Sequence, residues 1–180
     1  MAHSDEAAAE RFRHIVVPHL ADALSLARWL TGNGFDAEDV VQEACVRAFS
    51  AIQSYDGRGE RAWLLSIVRN TCFTWLAKNR SRNLVLMGTP AELSEAQGAI
   101  HEDLALDPEA DLIRKADVTL IEAAISSLPQ PYREVLVLHD INDLSYKEIA
   151  AMMSIPIGTV MSRLSRARKQ LAAQLGQATQ

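Results

Sequence analysis

Residues 144–171 read LSYKEIAAMMSIPIGTVMSRLSRARKQL, and this stretch predicts two helices joined by a tight turn. Ser145 followed by Glu148 forms a capping box, so the first helix is expected to begin near Ser145. Pro156 is expected to end it, because proline disfavours helical geometry in the preceding residue and suits the first turn of a new helix. Apolar residues of the second helix recur at helical spacing, which predicts a buried stripe. They are Val160, Leu164, Ala167 and Leu171.

The opposite side of the second helix is polar and basic. It carries Thr159, Ser162, Arg163, Arg166, Lys169 and Gln170. A short buried helix, a tight turn and a basic second helix form the pattern of a helix-turn-helix, whose second helix enters the DNA major groove. The alternative is a solvated basic face on an ordinary helical hairpin. The cap, the turn and the stripe share one register, and this agreement favours DNA binding.

Composition limits the other possibilities. The 180 residues suit one large or two small domains, and a hydrophobic content of 48% is enough to form cores. The sequence has neither an apolar run of the roughly 18 residues that span a bilayer nor an export signal, so we expect a cytoplasmic protein without membrane insertion. Cys45 and Cys72 lack a CxxC spacing, which favours buried free thiols over a zinc site and leaves a redox pair as the alternative. We expect no metal and no cofactor.

The net charge of −5 is unevenly distributed. Residues 91–112 hold seven acidic residues and no basic one, whereas residues 1–90 are neutral and residues 113–180 are mildly basic. Two windows contain no acid: the segment after Glu148, and residues 61–87. Both acid-free windows could follow the phosphates of a nucleic acid.

Three helices are predicted in the first half of the chain. The first spans residues 19–31, ends at Gly32, and has a buried stripe of Leu20, Leu24, Ala27 and Leu30. Asp36 is expected to cap the second helix, over residues 37–50, which directs Val40, Ala44 and Phe49 toward a core. Its polar face is either solvated or a partner-binding surface.

A glycine-containing loop at residues 54–59 leads into the third helix, over residues 61–78. Aromatic and basic residues alternate there, as in proteins that bind single strands. Tryptophans at helical spacing are more often core residues, so we expect Trp63 and Trp75 to pack inside.

Periodicity is lost between residues 84 and 111, where scattered acids predict an extended linker with little fixed structure. It returns in a helix that ends at residues 126–129. Pro131 is expected to start the next helix, and residues 140–143 to turn the chain into residues 144–171. His139 is expected at a helix end, without a catalytic role.

Several stretches, in this order, resemble the bacterial RNA polymerase sigma factors of the extracytoplasmic-function (ECF) class, in the sigma-70 family. They are LTG (30–32) with AEDVVQE (37–43), RGERAWL (58–64) with IVRN (67–70), LPQPYRE (128–134), and LSYKEIA (144–150) with GTVMSRL (158–164). The resemblance implies an all-α fold of two small helical domains. A sigma region 2 helical bundle would occupy residues 10–83 and a sigma region 4 helix-turn-helix residues 112–176, joined by a flexible acidic linker at residues 84–111.

The resemblance also implies roles for individual residues. Docking on the β′ clamp helices of core RNA polymerase would fall to Asp39, Gln42, Glu43 and Arg47. Recognition and opening of the −10 promoter element would fall to Arg58, Arg61, Arg69, Asn70, Lys78 and Arg80. Recognition of the −35 element would fall to Thr159, Ser162, Arg163, Arg166 and Lys169. Met161 is a departure, since many family members carry Lys or Arg at that position.

These roles imply a transcription initiation factor that is not an enzyme. Its partners would be core RNA polymerase, through the β′ clamp helices and the β flap, promoter DNA, and an anti-sigma factor. One alternative is a stand-alone helix-turn-helix regulator with an N-terminal sensing or dimerisation domain. An enzyme is a distant third, because the sequence has no phosphate-binding glycine loop, no HExxH motif and no nucleophile–base pairing.

Overall fold

The computed structural model describes residues 2–86 and 108–178, and its contacts divide the chain into two compact units, residues 1–97 and 98–180. All regular elements of the described residues are helical, which confirms the predicted all-α class with two domains. Among these residues no helix is long and apolar enough to cross a membrane.

Over residues 2–86, the described part of the first unit, the chain forms four α-helices. They are α1 (Ala2–Ile15), α2 (Leu20–Thr31), α3 (Gly34–Ala51) and α4 (Glu60–Leu86), with short 3-10 turns at Val17–His19 and Ile52–Ser54. Gly32 ends α2 as predicted, since its φ of 73° lies in the left-handed region that suits glycine. The prediction that Asp36 caps α3 was wrong. Asn33 is the cap, and its side chain accepts hydrogen bonds from the backbone N–H groups of Phe35 and Asp36 at 2.8 and 3.3 Å.

Helices α2, α3 and α4 pack against one another around small and branched residues. The buried set includes Ala23, Leu26, Ala27 and Leu30 from α2, Ala37, Val40, Ala44 and Ala48 from α3, and Leu64, Leu65, Val68 and Cys72 from α4. The predicted stripe of α2 was half wrong, because Leu20 and Leu24 are only partly covered while Ala23 and Leu26 are fully buried. Phe49, expected in the core, is 44% exposed and packs edge-on against Phe12 at 5.6 Å.

The second unit, where it is described (residues 108–178), contains another four α-helices and one widened π turn. They are α5 (Pro108–Ser127), α6 (Gln130–Leu136), the π turn (Val137–Ile141), α7 (Tyr146–Met153) and α8 (Ile157–Ala178). Its core includes Leu128, Val135, Leu138, Ile149, Val160, Leu164 and Ala167. The predicted stripe of α8 is confirmed, except that Leu171 is half-buried.

The two helices predicted within residues 144–171, α7 and α8, are separated by a turn where the sequence indicates. The Ser145 Oγ accepts from the Glu148 N–H at 3.3 Å, and the Glu148 carboxylate accepts from the Ser145 N–H at 2.8 Å, which completes the capping box. Helix α7 is capped at its C-terminus by Ser154, whose φ of 54° is left-handed. The turn to α8 therefore occupies only the residues between Met153 and Ile157.

The predicted linker overlaps the ends of two helices. Helix α4 continues to Leu86 and α5 begins at Pro108, so both helices extend into residues 84–111. The prediction of an extended, flexible segment otherwise falls on residues 87–107, which lie outside the described residues.

Candidate DNA-binding and docking surfaces

The outer face of α8 carries the residues that were predicted from the sequence to contact DNA. Ser162, Arg166 and Lys169 are exposed, and Thr159 and Arg163 are half-buried at the edges of the face. The Ser162 hydroxyl donates to the Thr159 carbonyl oxygen at 3.0 Å, so its oxygen still faces outward as an acceptor. The face therefore combines positive charge with hydroxyl groups, the groups that contact phosphates and base edges.

Arg168, a further base of α8, is held within the second unit. Its guanidinium donates to the carboxylate of Asp140 through Nε at 3.1 Å and through Nη2 at 2.5 Å. The hydrogen bond to Asp140 raises the pKa of the Arg168 side chain. Beside this pair, the His139 Nδ1 lies 2.8 Å from the Leu144 carbonyl oxygen, and its ring packs at a tilt against Tyr146 with the ring centroids 4.7 Å apart. The cluster joins α8 and the start of α7 to the π turn, and the sequence did not predict it.

The polar face predicted on α3 is solvent-exposed. It consists of Asp39, Gln42, Glu43 and Arg47, and the last two form an ion pair at 2.9 Å along the helix. Besides Phe49, two further apolar side chains of the same helix are exposed, Phe35 at 76% and Val46 at 67%. The sequence pattern did not predict the exposure of these two residues, although a helix that exposes large apolar groups beside charged ones is typical of a docking surface.

The proposed −10 residues lie along α4 and the loop before it, and they differ in environment. Arg58 and Lys78 are exposed. Arg69 lies over the ring of Phe73, 4.8 Å from its centroid, and its Nη1 lies 3.4 Å from Oδ1 of the exposed Asn70. An arginine, an amide and an aromatic ring thus share one turn of α4. The side chain of Arg80 lies outside the described residues.

Arg61, by contrast, is engaged in an ion pair inside the first unit. Its Nε donates to Oδ2 of Asp22 on α2 at 2.7 Å, and both side chains are mostly covered, at 29% and 30% exposure. This position joins the start of α4 to α2. The structure therefore gives Arg61 a partner within the first unit, and its contact with the −10 element stays a prediction.

The loop before α4 begins at Tyr55, which contacts both α1 and α4. The Arg11 side chain donates to the carbonyl oxygen of Tyr55 at 2.6 Å, and the ring of Tyr55 packs at a tilt against Trp63 with the ring centroids 4.6 Å apart. Trp63 and Trp75 are half-buried, so the expectation of core tryptophans holds in part. Gly57 and Gly59 have φ values of 82° and 65°, which explains the two glycines of the loop.

Within residues 2–86 and 108–178, no three His, Cys, Asp or Glu side chains are grouped so that they could hold a metal ion. Cys45 is a half-buried free thiol, and Cys72 is buried. Burial raises the pKa of the Cys45 thiol.

Comparison with known proteins agrees with this division into two units. Residues 15–82 match the model of sigma-70 region 2, and residues 119–171 match that of sigma-70 region 4. A curated relative, the ECF RNA polymerase sigma-E factor of Escherichia coli K12, is 34% identical over 165 residues, which cover 89% of this chain and 84% of the relative. The ECF RNA polymerase sigma factor SigE of Mycolicibacterium smegmatis is 35% identical over 173 residues, which cover 94% of this chain but only 63% of that longer relative.

Two solved structures are also similar. The sigma factor RpoE of Bartonella quintana, crystallised with the anti-sigma factor NepR, gives a TM-score of 0.71 at 27% identity, and the match covers 92% of this chain and 96% of that one. CnrH, solved with the cytosolic domain of CnrY, gives a TM-score of 0.63 at 26% identity, with 96% of each chain covered. The chain therefore belongs to the sigma-70 family of RNA polymerase sigma factors, in its ECF class.

Proposed function

We propose that this protein is a promoter-specificity factor, which binds core RNA polymerase, directs it to promoters and catalyses no reaction itself. The observation that supports this most strongly is that both units match sigma regions, region 2 in the first unit and region 4 in the second. In this proposal residues 10–83 dock on polymerase and open the −10 element, residues 112–176 read the −35 element, and residues 84–111 connect them. Such a factor acts in the cytoplasm, where polymerase and the chromosome are.

The charge distribution supports a factor that needs polymerase. Nonspecific DNA affinity comes largely from neutralised phosphates, and a chain of net charge −5 gains little from this source. When the two units are held on polymerase, each binds its promoter element at high effective concentration. The proposal therefore predicts weak DNA binding by the free protein and strong binding by the holoenzyme. A stand-alone regulator would instead bind its operator in a gel shift without polymerase.

Reconstituted transcription tests the proposal directly. Purified protein added to core polymerase should start transcripts at a defined set of promoters, and sequencing their 5′ ends would identify the −10 and −35 elements. Absence of binding to core polymerase in a pull-down would refute the proposal.

The docking face on α3 can be tested with a matched pair of glutamines. Gln42→Ala should weaken binding to core polymerase, as should Asp39→Ala, because both side chains project from the exposed face of α3. Gln53→Ala is the control, since Gln53 is exposed in the same unit but lies beyond the end of α3. Equal affinities for the Gln42 and Gln53 variants would remove α3 from the docking surface.

The −35 face can be tested at Arg163. Arg163→Ala should cost about 1–3 kcal/mol of promoter binding, with relaxed preference at one base pair, if the guanidinium contacts a base. If it contacts only a phosphate, binding should weaken to a similar extent on every −35 variant. Affinity of the holoenzyme for promoters substituted one base pair at a time distinguishes these results.

We also propose that a separate anti-sigma protein controls this factor, as the complexes of RpoE with NepR and of CnrH with the CnrY domain suggest. Phe35 and Val46 offer exposed apolar area on the same helix as the docking residues, so such a protein could compete with polymerase for α3. A co-purified inhibitor that no longer binds a Val46→Asp variant would support this mode of control, and an inhibitor unaffected by the change would place its contact elsewhere.

A further inference from the structure

The start of α8 exposes two large apolar side chains. Ile157 is 42% exposed and Met161, one turn later, is 52% exposed. Both lie in the first turns of α8, directly after the tight turn that follows α7. In a helix-turn-helix protein, the N-terminal residues of this second helix contact base edges. The apolar core of the second unit does not explain them, because Val160 and Leu164 supply the buried contacts of this part of α8.

The space around these side chains is open. Apart from its chain neighbours and the backbone of its own helix, a β-carbon built on Gly158, between Ile157 and Met161, would have no atom within 4 Å. Ser162, which follows Met161, and Ser165, one turn beyond it, are exposed as well. The first two turns of α8 therefore present short polar groups with one long, unbranched apolar side chain between them.

A methionine in this position suits one particular group in the major groove. The C5 methyl of thymine is the apolar group that base edges present there, and apolar side chains read it by contact. Methionine is flexible and polarizable, so it adapts to such a small target. A lysine or arginine would instead favour a phosphate or a guanine.

We propose that Met161 reads a thymine methyl group in the −35 element and so determines the base preference at that position. The inference rests on the proposed function, because it needs α8 to lie in the major groove of a promoter. It goes further in assigning one base and one chemical group to a residue of this chain.

Replacement of single thymidines by deoxyuridine provides a direct test, since it removes the methyl and leaves every hydrogen-bonding group. Holoenzyme binding should be measured on promoter duplexes that carry deoxyuridine at one −35 thymidine at a time, on either strand. Wild-type holoenzyme should lose about fourfold in affinity at one position, the ratio expected for one buried methyl group. Met161→Ala should bind the thymidine and deoxyuridine duplexes equally, and Met161→Leu should restore much of the difference.

Lys169→Ala is the matched control, because Lys169 is an exposed residue of the same face with no apolar end. It should weaken binding to both duplexes while keeping the fourfold ratio between them. Thermal unfolding should show that Met161→Ala is folded, as expected for a side chain that is half exposed.

The outcomes separate this inference from the proposed function. If the protein forms no holoenzyme, the proposed function and this inference both fail. If the holoenzyme transcribes but binds thymidine and deoxyuridine duplexes equally at every −35 position, this inference alone is refuted. It is also refuted if the methyl effect persists in Met161→Ala, or if Met161→Ala weakens binding to core polymerase and leaves the methyl effect unchanged. The last result would assign Met161 to a protein contact.

Discussion

The ion pair between Asp22 and Arg61 gives the sharpest prediction about the first unit, because it decides whether Arg61 holds the fold or contacts DNA. Exposed ion pairs contribute about 0.2–1 kcal/mol, whereas hydrogen bonds to charged groups contribute about 1.5–3 kcal/mol. This pair lies between those limits, with a distance of 2.7 Å and about 30% exposure of each side chain. We therefore expect a coupling energy of about 1–1.5 kcal/mol from a double-mutant cycle.

The cycle needs Asp22→Ala, Arg61→Ala and the double variant, with urea unfolding followed by a probe in the first unit. Because the chain has two units, the transition should be fitted for that unit rather than for the whole chain. Arg13→Ala is a suitable control, as Arg13 is an exposed arginine of the same unit. The coupling should decrease only modestly at high salt, since partly buried pairs are weakly screened.

Promoter opening by the holoenzyme completes this test. If Arg61 acts by holding α4 against α2, Asp22→Ala should impair opening about as much as Arg61→Ala. A coupling energy near zero, together with impaired opening for Arg61→Ala alone, would refute the structural role and restore the DNA contact that the sequence suggested.

Three further predictions concern other contacts. Ser145→Ala should reduce the stability of the second unit by about 0.5–2 kcal/mol in urea unfolding, because it removes the cap of α7, and an unchanged midpoint would contradict this. Asp140→Asn should release Arg168 for phosphate contact, so the dependence of log affinity on log salt should steepen by about 0.9, and an unaltered slope would show that Arg168 points away from DNA. Cys45 should be alkylated by iodoacetamide more slowly than an exposed cysteine at pH 8, because its raised thiol pKa leaves less thiolate. Urea should remove this protection, and equal rates in the folded and unfolded protein would contradict it.

Features set by neighbouring residues were predictable from the sequence. The capping box of α7, the glycine end of α2 and the buried stripe of α8 each depend on residues within one or two turns, so their patterns are local. Exposure of Asp39, Gln42 and Arg166 also followed from helical periodicity. The roles of these residues stay predictions, because periodicity places a side chain on a face without identifying what binds there.

Features set by distant residues were not predictable. Arg61 and Asp22 are 39 positions apart, and Arg168 and Asp140 are 28 apart, so no helical spacing relates the members of either pair. The stripe of α2 was misassigned for a related reason. This helix packs against both α3 and α4, and a helix with two neighbours buries more than one row of side chains.

The π turn between α6 and α7 limits how the protein can vary in length. The Asn142 N–H bonds to the Val137 carbonyl oxygen, five residues back, at 2.9 Å, so this turn holds one residue more than an α-helix would. Deletion of one residue from Val137–Ile141 would restore α-helical geometry there and rotate the segment that follows by about 100°. Ile149 could then no longer reach the core from α7. Loops usually tolerate insertions and deletions, but this connection should tolerate neither, even where individual side chains can be exchanged.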